Sequence, residues 1–259
     1  MYMQEIVSKE NKIFKSALRL HKKKYRDEEG QYLIEGENLV EEAFKCNIEI
    51  KTIFYKNGYD GPRFSFDNSY ILSDSLFNLL SDTESSQGII AIVKKEEHSL
   101  SEFVDSPGDN FLIIDRVQDP GNIGTMLRTS DASGYRLVVL IKGTCDVYQP
   151  KVVRSATGSL FRVPVIQIDS YDELIDFVTK ANKKLVSTTL DSNTYYYDVD
   201  LSKNIALVIG NEGNGIDKEL INRSNLRIKI PMMGNIESLN CAVSAGILLY
   251  ERVRKCKKD

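Results

Sequence analysis

The chain predicts an α/β protein: a mostly parallel sheet with helices on both faces in its C-terminal part, preceded by a smaller α/β unit. Three observations carry that expectation. Beyond residue 110, short β-branched runs alternate with stretches of helical spacing, the order that builds a parallel sheet by crossovers. Three of those runs end in Gly, Asn and Pro just before a helical pattern opens, at Asp115–Arg128, Ile209–Gly215 and Ile230–Asn240. Between Lys94 and Asn110 the composition turns polar, with Ser99, Ser101, Ser106, Pro107 and Gly108. This divides the chain into residues 1–98, a linker at 99–110, and residues 111–259.

In the first part, Ile13, Phe14, Ala17, Leu18 and Leu20 form an apolar stripe at helical spacing within Lys9–Leu20. Lys22–Glu29 reads as a charged turn. Gln31–Glu35 reads as a strand ending at Gly36, Glu37–Phe44 as a helix and Ile48–Tyr55 as a strand. Asp74–Leu80 follows as a short helix and Gly88–Val93 as a short buried strand.

In the second part the expected strands are Phe111–Val117, Leu137–Ile141, Val163–Ile168, Lys184–Leu190, Ile205–Gly210 and Leu226–Pro231. The expected helices are Ile123–Ser133, closed by Gly134, then Gln149–Ser159 with Pro150 in its first turn, Tyr171–Ala181 and Lys218–Arg223. A final helix runs from about Ser238 to Lys255. Its face of Leu239, Val243, Gly246, Ile247, Tyr250 and Val253 is kept small in part by Ala242, Ala245 and Gly246.

A net charge of -3 over 259 residues argues neither for nor against nucleic acid, but its distribution is uneven. Lys9, Lys12, Lys15, Arg19, Lys22, Lys23, Lys24 and Arg26 are opposed locally only by Glu10, and Arg252, Arg254, Lys255, Lys257 and Lys258 gather near the other end. Either group is a solvated helix face or a phosphate-facing patch. Cys46, Cys145, Cys241 and Cys256 lack the spacing of a zinc site or redox pair, and Cys241 reads as a small core residue. Met1–Ile6 has no apolar signal core and no stretch approaches a membrane span, so a soluble, cytoplasmic setting is expected.

Asn122 follows Pro120-Gly121 where a helix N-cap would stand, and Arg128 lies about two turns further on. Gly210-Asn-Glu212-Gly213-Asn-Gly215 has glycines in the order G-x-x-G-x-G. That is neither the dinucleotide fingerprint nor a P-loop, and it sets Glu212 within a tight turn. Pro231 stops a strand, and Ser238 or a neighbour should cap the last helix. Capping accounts for Ser238 but leaves Asn240, after apolar Leu239, without a structural role.

Together these segments resemble the three motifs of the SpoU (TrmH-like) family of RNA 2′-O-ribose methyltransferases, within the SPOUT superfamily. Asp115–Arg128 is similar to its first motif, Leu207–Gly215 to its second and Ile228–Glu251 to its third, and Pro150–Pro164 also has the family's look. Lys15–Arg26 and Tyr32–Val40 resemble the L30e-like substrate-binding domain of ribosomal-RNA members. The resemblance implies a deep trefoil knot, against the general avoidance of threading, and a homodimer packed partly through the last helix. S-adenosylmethionine would be held largely by backbone groups, with Thr188, Thr189, Leu190, Gly210, Asn211, Gly213, Ile230, Ser238 and Leu239 as its contacts. No metal is needed. Arg128 would orient and polarise the ribose hydroxyl, being a very poor base, Asn122 would hold Arg128 or the ribose, and Glu212, Ser238 and Asn240 would shape the pocket. Lys15, Arg19, Lys22, Lys23, Lys24 and Arg26 would contact RNA, most readily ribosomal RNA. A transfer-RNA methyltransferase, a catalytically idle assembly factor of the same fold, and an unrelated nucleotide-binding protein are the rival readings. The N-terminal extension, the full set of polar residues and the glycine order respectively argue against them.

Overall fold

The computed structural model describes residues 3–256; Met1 and Tyr2 of the N-terminal stretch, and Lys257 and Lys258 of the C-terminal basic group, lie outside the described residues. The chain forms two units. One runs to Glu96 and takes in Asp146–Phe161; the other comprises Glu97–Cys145 and everything from Arg162 on.

The first unit contains β1 (Gln4–Ile6), α1 (Lys12–Arg19), α2 (Lys23–Glu29), β2 (Gln31–Glu35), α3 (Glu37–Lys45), β3 (Ile50–Lys56), β4 (Ser69–Leu72), α4 (Asp74–Leu80) and β5 (Ile89–Lys94). Among the described residues its sheet has five strands in the order β1-β4-β3-β5-β2. β1 and β3 run parallel to β4, whereas β5 is antiparallel to both β2 and β3. Most of the expected apolar stripe is internal: Phe14, Ala17 and Leu20 are buried with Leu33, Phe54, Phe77 and Ile90 and Ile13 packs against them, whereas Leu18 faces solvent. Two details differ from expectation. Lys22–Glu29 is largely the helix α2, supported by Lys23–Asp27 and Lys24–Glu28 pairs at 3.0 and 3.7 Å and ended by left-handed Gly30. β1 and β4, of three and four residues, are too short for periodicity to announce; β4 is held by pairing with β3, and β1 by pairing with β4.

The second unit contains β6 (Phe111–Asp115), α5 (Pro120–Ser133), β7 (Leu137–Ile141), then, after a segment belonging to the first unit that includes α6 (Pro150–Ala156), β8 (Val165–Ile168) and α7 (Tyr171–Lys180). It continues with β9 (Lys184–Thr188), β10 (Ile205–Gly210), α8 (Lys218–Arg223), β11 (Leu226–Ile228) and α9 (Cys241–Lys255). Among the described residues the sheet has six strands in the order β11-β9-β10-β6-β7-β8, and every pairing is parallel, as the alternation predicts. β6, β7 and β10 are buried along their whole length, which is why they read as continuous apolar runs rather than alternating ones.

The expected linker at 99–110 is instead part of this second unit. Leu100–Phe103 is a 3-10 turn with a Ser99–Glu102 capping box, and it inserts Phe103, 4 % exposed, into the core beside Phe111. Asn110 is fully buried; its amide donates to Leu201 O and accepts from Ile205 N. Polar composition marked the chain's crossing between units but not its packing. The expected continuous span 111–259 is likewise interrupted. α6 packs on β2, Tyr148 lies 4.9 Å from Tyr32 between ring centroids, and Arg154 pairs with Asp82 at 2.6 Å. No helix among the described residues is long and apolar enough to cross a membrane.

Candidate active site

Because the six strands run parallel, their carboxyl ends share one edge of the sheet. Register sets Gly210 beside Asp115 and Ile228 beside Thr188, on the neighbouring strands β11-β9-β10-β6. The three sequence segments singled out above therefore leave the sheet side by side, the usual place for a ligand in an open α/β fold.

The helix that opens the first segment is capped by Asp119, not by Asn122: Asp119 Oδ1 accepts from Asn122 N at 2.9 Å, and Pro120 fills the first turn. Set inside the helix, Asn122 has its amide free for long-range bonds. Its Nδ2 donates to Glu212 Oε1 at 3.0 Å, and its Oδ1 accepts from Asn240 Nδ2 at 2.9 Å. Only an amide nitrogen can donate to a carboxylate, which fixes which way this amide faces. Asn240 in turn is the N-cap of α9, accepting from Ala242 N and Val243 N at 2.9 and 3.2 Å. Both halves of its amide are used, one to start a helix and one to reach Asn122. Of the expected caps, Ser238 or a neighbour, the cap is the nearby Asn240 and not Ser238, so Asn240 acquires the structural role it lacked.

Glu212 closes the network. Besides Asn122 it accepts from the backbone N–H groups of Gln118 and Asp119, each at 3.2 Å, and Cys241 Sγ lies 3.8 Å from it. Partial desolvation pulls its carboxyl upward, but the bonds from Asn122 and the backbone N–H groups outweigh this and hold it below the usual glutamate value. Burial, and then the Glu212 charge, push the Cys241 thiol up to about 12, so it stands as a neutral thiol. Asn122, Glu212 and Asn240, from three segments, thus form one hydrogen-bonded chain.

The glycine turn is a closed loop. Asn211 and Gly215 exchange backbone hydrogen bonds at 3.0 and 2.9 Å, and Gly215 adopts φ +66°. A Cβ on Gly210 would lie 2.3 Å from the backbone of Gly215 and Ile216, so no larger residue fits. Asn211, expected at the cofactor, turns its side chain to the loop: its Oδ1 accepts from Gly213 N and Asn214 N, and its Nδ2 donates to Arg116 O. Sequence reasoning passed over Asp115, a fully buried carboxylate that accepts from Arg116 Nε at 3.0 Å, Tyr171 Oη at 3.1 Å and Asp217 N at 2.9 Å. Arg116 Nη1 also meets Asp217 at 3.2 Å. Both ends of the Glu212 loop are thereby clamped to the end of β6. The available signal was an acid ending an otherwise wholly apolar run.

The remaining expected residues are less engaged. Residues 230–239, including Ile230, Ser238 and Leu239, make no hydrogen bond among the described residues, and Met233 and Ile236 are 96 % and 62 % exposed. Thr188 Oγ1 donates to Val208 O, Thr189 N donates to Ile228 O, and Leu190 is exposed. Arg128 is exposed and carries no side-chain hydrogen bond or ion pair among the described residues. It does not hold Asn122, since six residues along a helix turn the side chain about 120° away. A nucleoside cofactor with an amino-acid arm needs apolar walls and many backbone donors and acceptors. The unpaired 230–239 backbone, with Leu239 at its end, fits that need. Among the described residues no group of three or more His, Cys, Asp or Glu is gathered as a metal site.

Of the expected RNA contacts, Arg26 is corrected. It is 3 % exposed, its guanidinium bonding Asp146 at 2.5 Å and the carbonyls of Leu20 and His21. Lys15 pairs with Glu10, while Lys23 and Lys24 pair along α2 and Arg19 lies over the Tyr25 ring at 5.5 Å. Lys22 is exposed and carries no ion pair among the described residues. At the other end Arg252 donates to Gly108 O and Ser202 O, Arg254 meets Glu251 and Lys255 donates to Val199 O, so each described cation of that cluster already has a partner in the protein.

A parallel sheet whose carboxyl edge carries a closed glycine turn, a three-residue polar chain and an unpaired loop defines an α/β protein with a cofactor-type site. The family description "SpoU rRNA Methylase family" matches residues 109–250, more than half of the chain, and "MRM3-like substrate binding domain" matches residues 11–91. The chain belongs to the SpoU rRNA methylase family. It is 39% identical to the 23S rRNA (guanosine(2553)-2'-O)-methyltransferase RlmP of Bacillus subtilis (strain 168), over 96% of this chain and 98% of that one. The crystal structure of the AdoMet-bound rRNA methyltransferase from Sinorhizobium meliloti is 29% identical, with a TM-score of 0.87 over 97% of this chain and 98% of that one. The A. aeolicus TrmH/SpoU tRNA modifying enzyme, 27% identical, matches 60% of this chain and 80% of its own with a TM-score of 0.50.

Proposed function

We propose that this chain is an S-adenosylmethionine-dependent methyltransferase that modifies a ribose 2′-hydroxyl in ribosomal RNA. The observation that carries the reading is the Asn240–Asn122–Glu212 chain, which ties three family motifs into one site. Bound S-adenosylmethionine would supply an electrophilic methyl group on a sulfonium. The backbone of 230–239, with Thr188–Leu190 and Gly210, would hold it. Arg128, with no protein partner among the described residues, is left to orient the hydroxyl or an adjoining phosphate of the substrate, and holding that geometry supplies much of the acceleration. Asn122, Glu212 and Asn240 position the loops and keep a fixed negative charge near the site.

The first unit is the RNA-binding part of the proposal, with Lys22 and Arg19 the two of its expected contacts that are exposed and carry no ion pair among the described residues. Ribosomal RNA is preferred to transfer RNA because the tRNA-modifying relative matches little beyond one unit, whereas the rRNA relatives match both. Homodimerisation through α9, with Val243 and Tyr250 about half exposed, and a cytoplasmic setting belong to the same proposal. So does the knot. β11 lies at the sheet's edge, yet α9 packs on α5 and β10, so residues 229–240 must recross the carboxyl edge.

The test is methyl transfer from labelled S-adenosylmethionine to 23S rRNA, with ribose methylation mapped by alkaline resistance. One protected position, absent with Arg128→Ala, is expected. Label that enters no rRNA, or enters a base, removes the reading.

A further inference from the structure

Three consecutive tyrosines follow the loop that leaves β9. Lys229 N donates to Thr194 O at 2.9 Å and Tyr196 N donates to Lys229 O at 3.0 Å, so the run is laid along β11, the free edge strand, at its carboxyl end. The rings of Tyr195 and Tyr197 are stacked, with centroids 5.4 Å apart and planes 19° from parallel. Tyr196 meets Tyr197 nearly edge-on, at 5.1 Å and 69°. Lys229 Nζ stands 5.3 Å from the centre of the Tyr195 ring, and Tyr197 is 46 % exposed. None of the three hydroxyls is hydrogen-bonded, and Lys229 has no ion pair, among the described residues.

A core tyrosine buries its ring and satisfies its hydroxyl. Here no hydroxyl is satisfied, Tyr195 and Tyr196 are half-buried and Tyr197 is exposed, and the rings form an aromatic cluster with a cation over Tyr195 and solvent at Tyr197. They sit on the connection that begins with Thr188–Leu190, at the sheet edge that carries the candidate site. We infer that Tyr195–Tyr197 is a stacking platform for an unpaired base of the RNA substrate, with Lys229 placed for its phosphate. The inference rests on the function proposed above. A base continues an aromatic stack whatever its identity, because every base presents a π-face, and single-stranded nucleotides are the ones whose faces are available. The polar flanks, Asn193 and Asp198, do not suit an aliphatic protein patch.

The chain contains no tryptophan, so Tyr197→Trp in the full-length protein introduces a single indole while preserving a flat ring. Three proteins are compared: the unaltered chain, Tyr197→Ala and Tyr197→Trp. Expected for Tyr197→Ala is a rise of about tenfold in KM for 23S rRNA, with kcat and S-adenosylmethionine affinity unchanged. Expected for Tyr197→Trp is a retained KM and quenching of its fluorescence by a single-stranded oligouridylate. An unchanged KM in Tyr197→Ala, or an indole indifferent to the oligonucleotide, overturns the platform. A change in sedimentation on Tyr197→Ala assigns the rings to a second copy of the chain and overturns it too. Should the unaltered protein fail to methylate rRNA while the indole is still quenched, the proposed function falls and the platform stands.

Discussion

Asn240 and the ten residues before it behave in opposite ways. Every polar atom of the Asn240 side chain is engaged by protein, whereas residues 230–239 make no hydrogen bond among the described residues. The same contrast separates Glu212, held by Asn122 and two backbone N–H groups, from Arg128, whose side chain has no hydrogen bond or ion pair among the described residues. Groups that hydrogen-bond one another build a frame. Groups left open are those a ligand can engage without first breaking a protein bond.

Replacing an open group should therefore cost activity without stability, and replacing a frame group should cost both. Arg128→Ala gives the largest expected effect, a loss of about 10²-fold or more in kcat with an unchanged melting temperature. A coincident fall in stability would assign Arg128 to the frame. Arg26→Ala, which breaks the buried ion pair with Asp146, is expected to destabilise by about 3–5 kcal/mol in a denaturant titration. Glu212→Gln turns one acceptor into a donor facing Asn122 and two N–H groups, for an expected loss of about 1–3 kcal/mol. Because the Glu212 carboxyl is lowered in the fold, its contribution is complete above the ordinary glutamate range and is lost as pH falls through its depressed value. The stability of Glu212→Gln should depend less on acid than that of the unaltered chain, and equal slopes would contradict the network.

Two milder changes sharpen the contrast. Asn240→Asp keeps the helix cap but cannot donate to Asn122, while Asn240→Ala loses the cap as well, costing about 1 kcal/mol more. If both variants melt alike, the cap contributes nothing. Lys22→Ala should leave the fold intact and reduce the slope of log affinity for RNA against log salt by about one, whereas Lys23→Ala and Lys24→Ala, already paired, should change it less. Equal changes at all three positions would erase the distinction between engaged and open cations.

The parallel sheet was legible because β6, β7 and β10 are buried on both faces and so appear as unbroken apolar runs. The three active-site segments were legible through their glycines and prolines, which mark where strands must stop. Roles within them were not. Asn122 was expected to cap and instead bonds across to Glu212; Ser238 or a neighbour was expected to cap the last helix, and the cap is Asn240. The choice between neighbouring Asp, Asn and Ser caps rests on a fraction of a kcal/mol, and a long-range bond decides it.

Local spacing and composition determined most of the longer strands and helices and which turns need glycine, since those depend on neighbours a few residues away, whereas β1, β4 and α2 escaped it. The first unit's acquisition of Asp146–Phe161, the burial of Arg26 against a residue 120 positions distant, and the meeting of Asn122, Glu212 and Asn240 were decided by the tertiary structure alone. A side chain's partner is set by where strands and helices pack. Residues of one type, such as the lysines and arginines of the first basic run, therefore end as core, surface pair or open cation according to position in space.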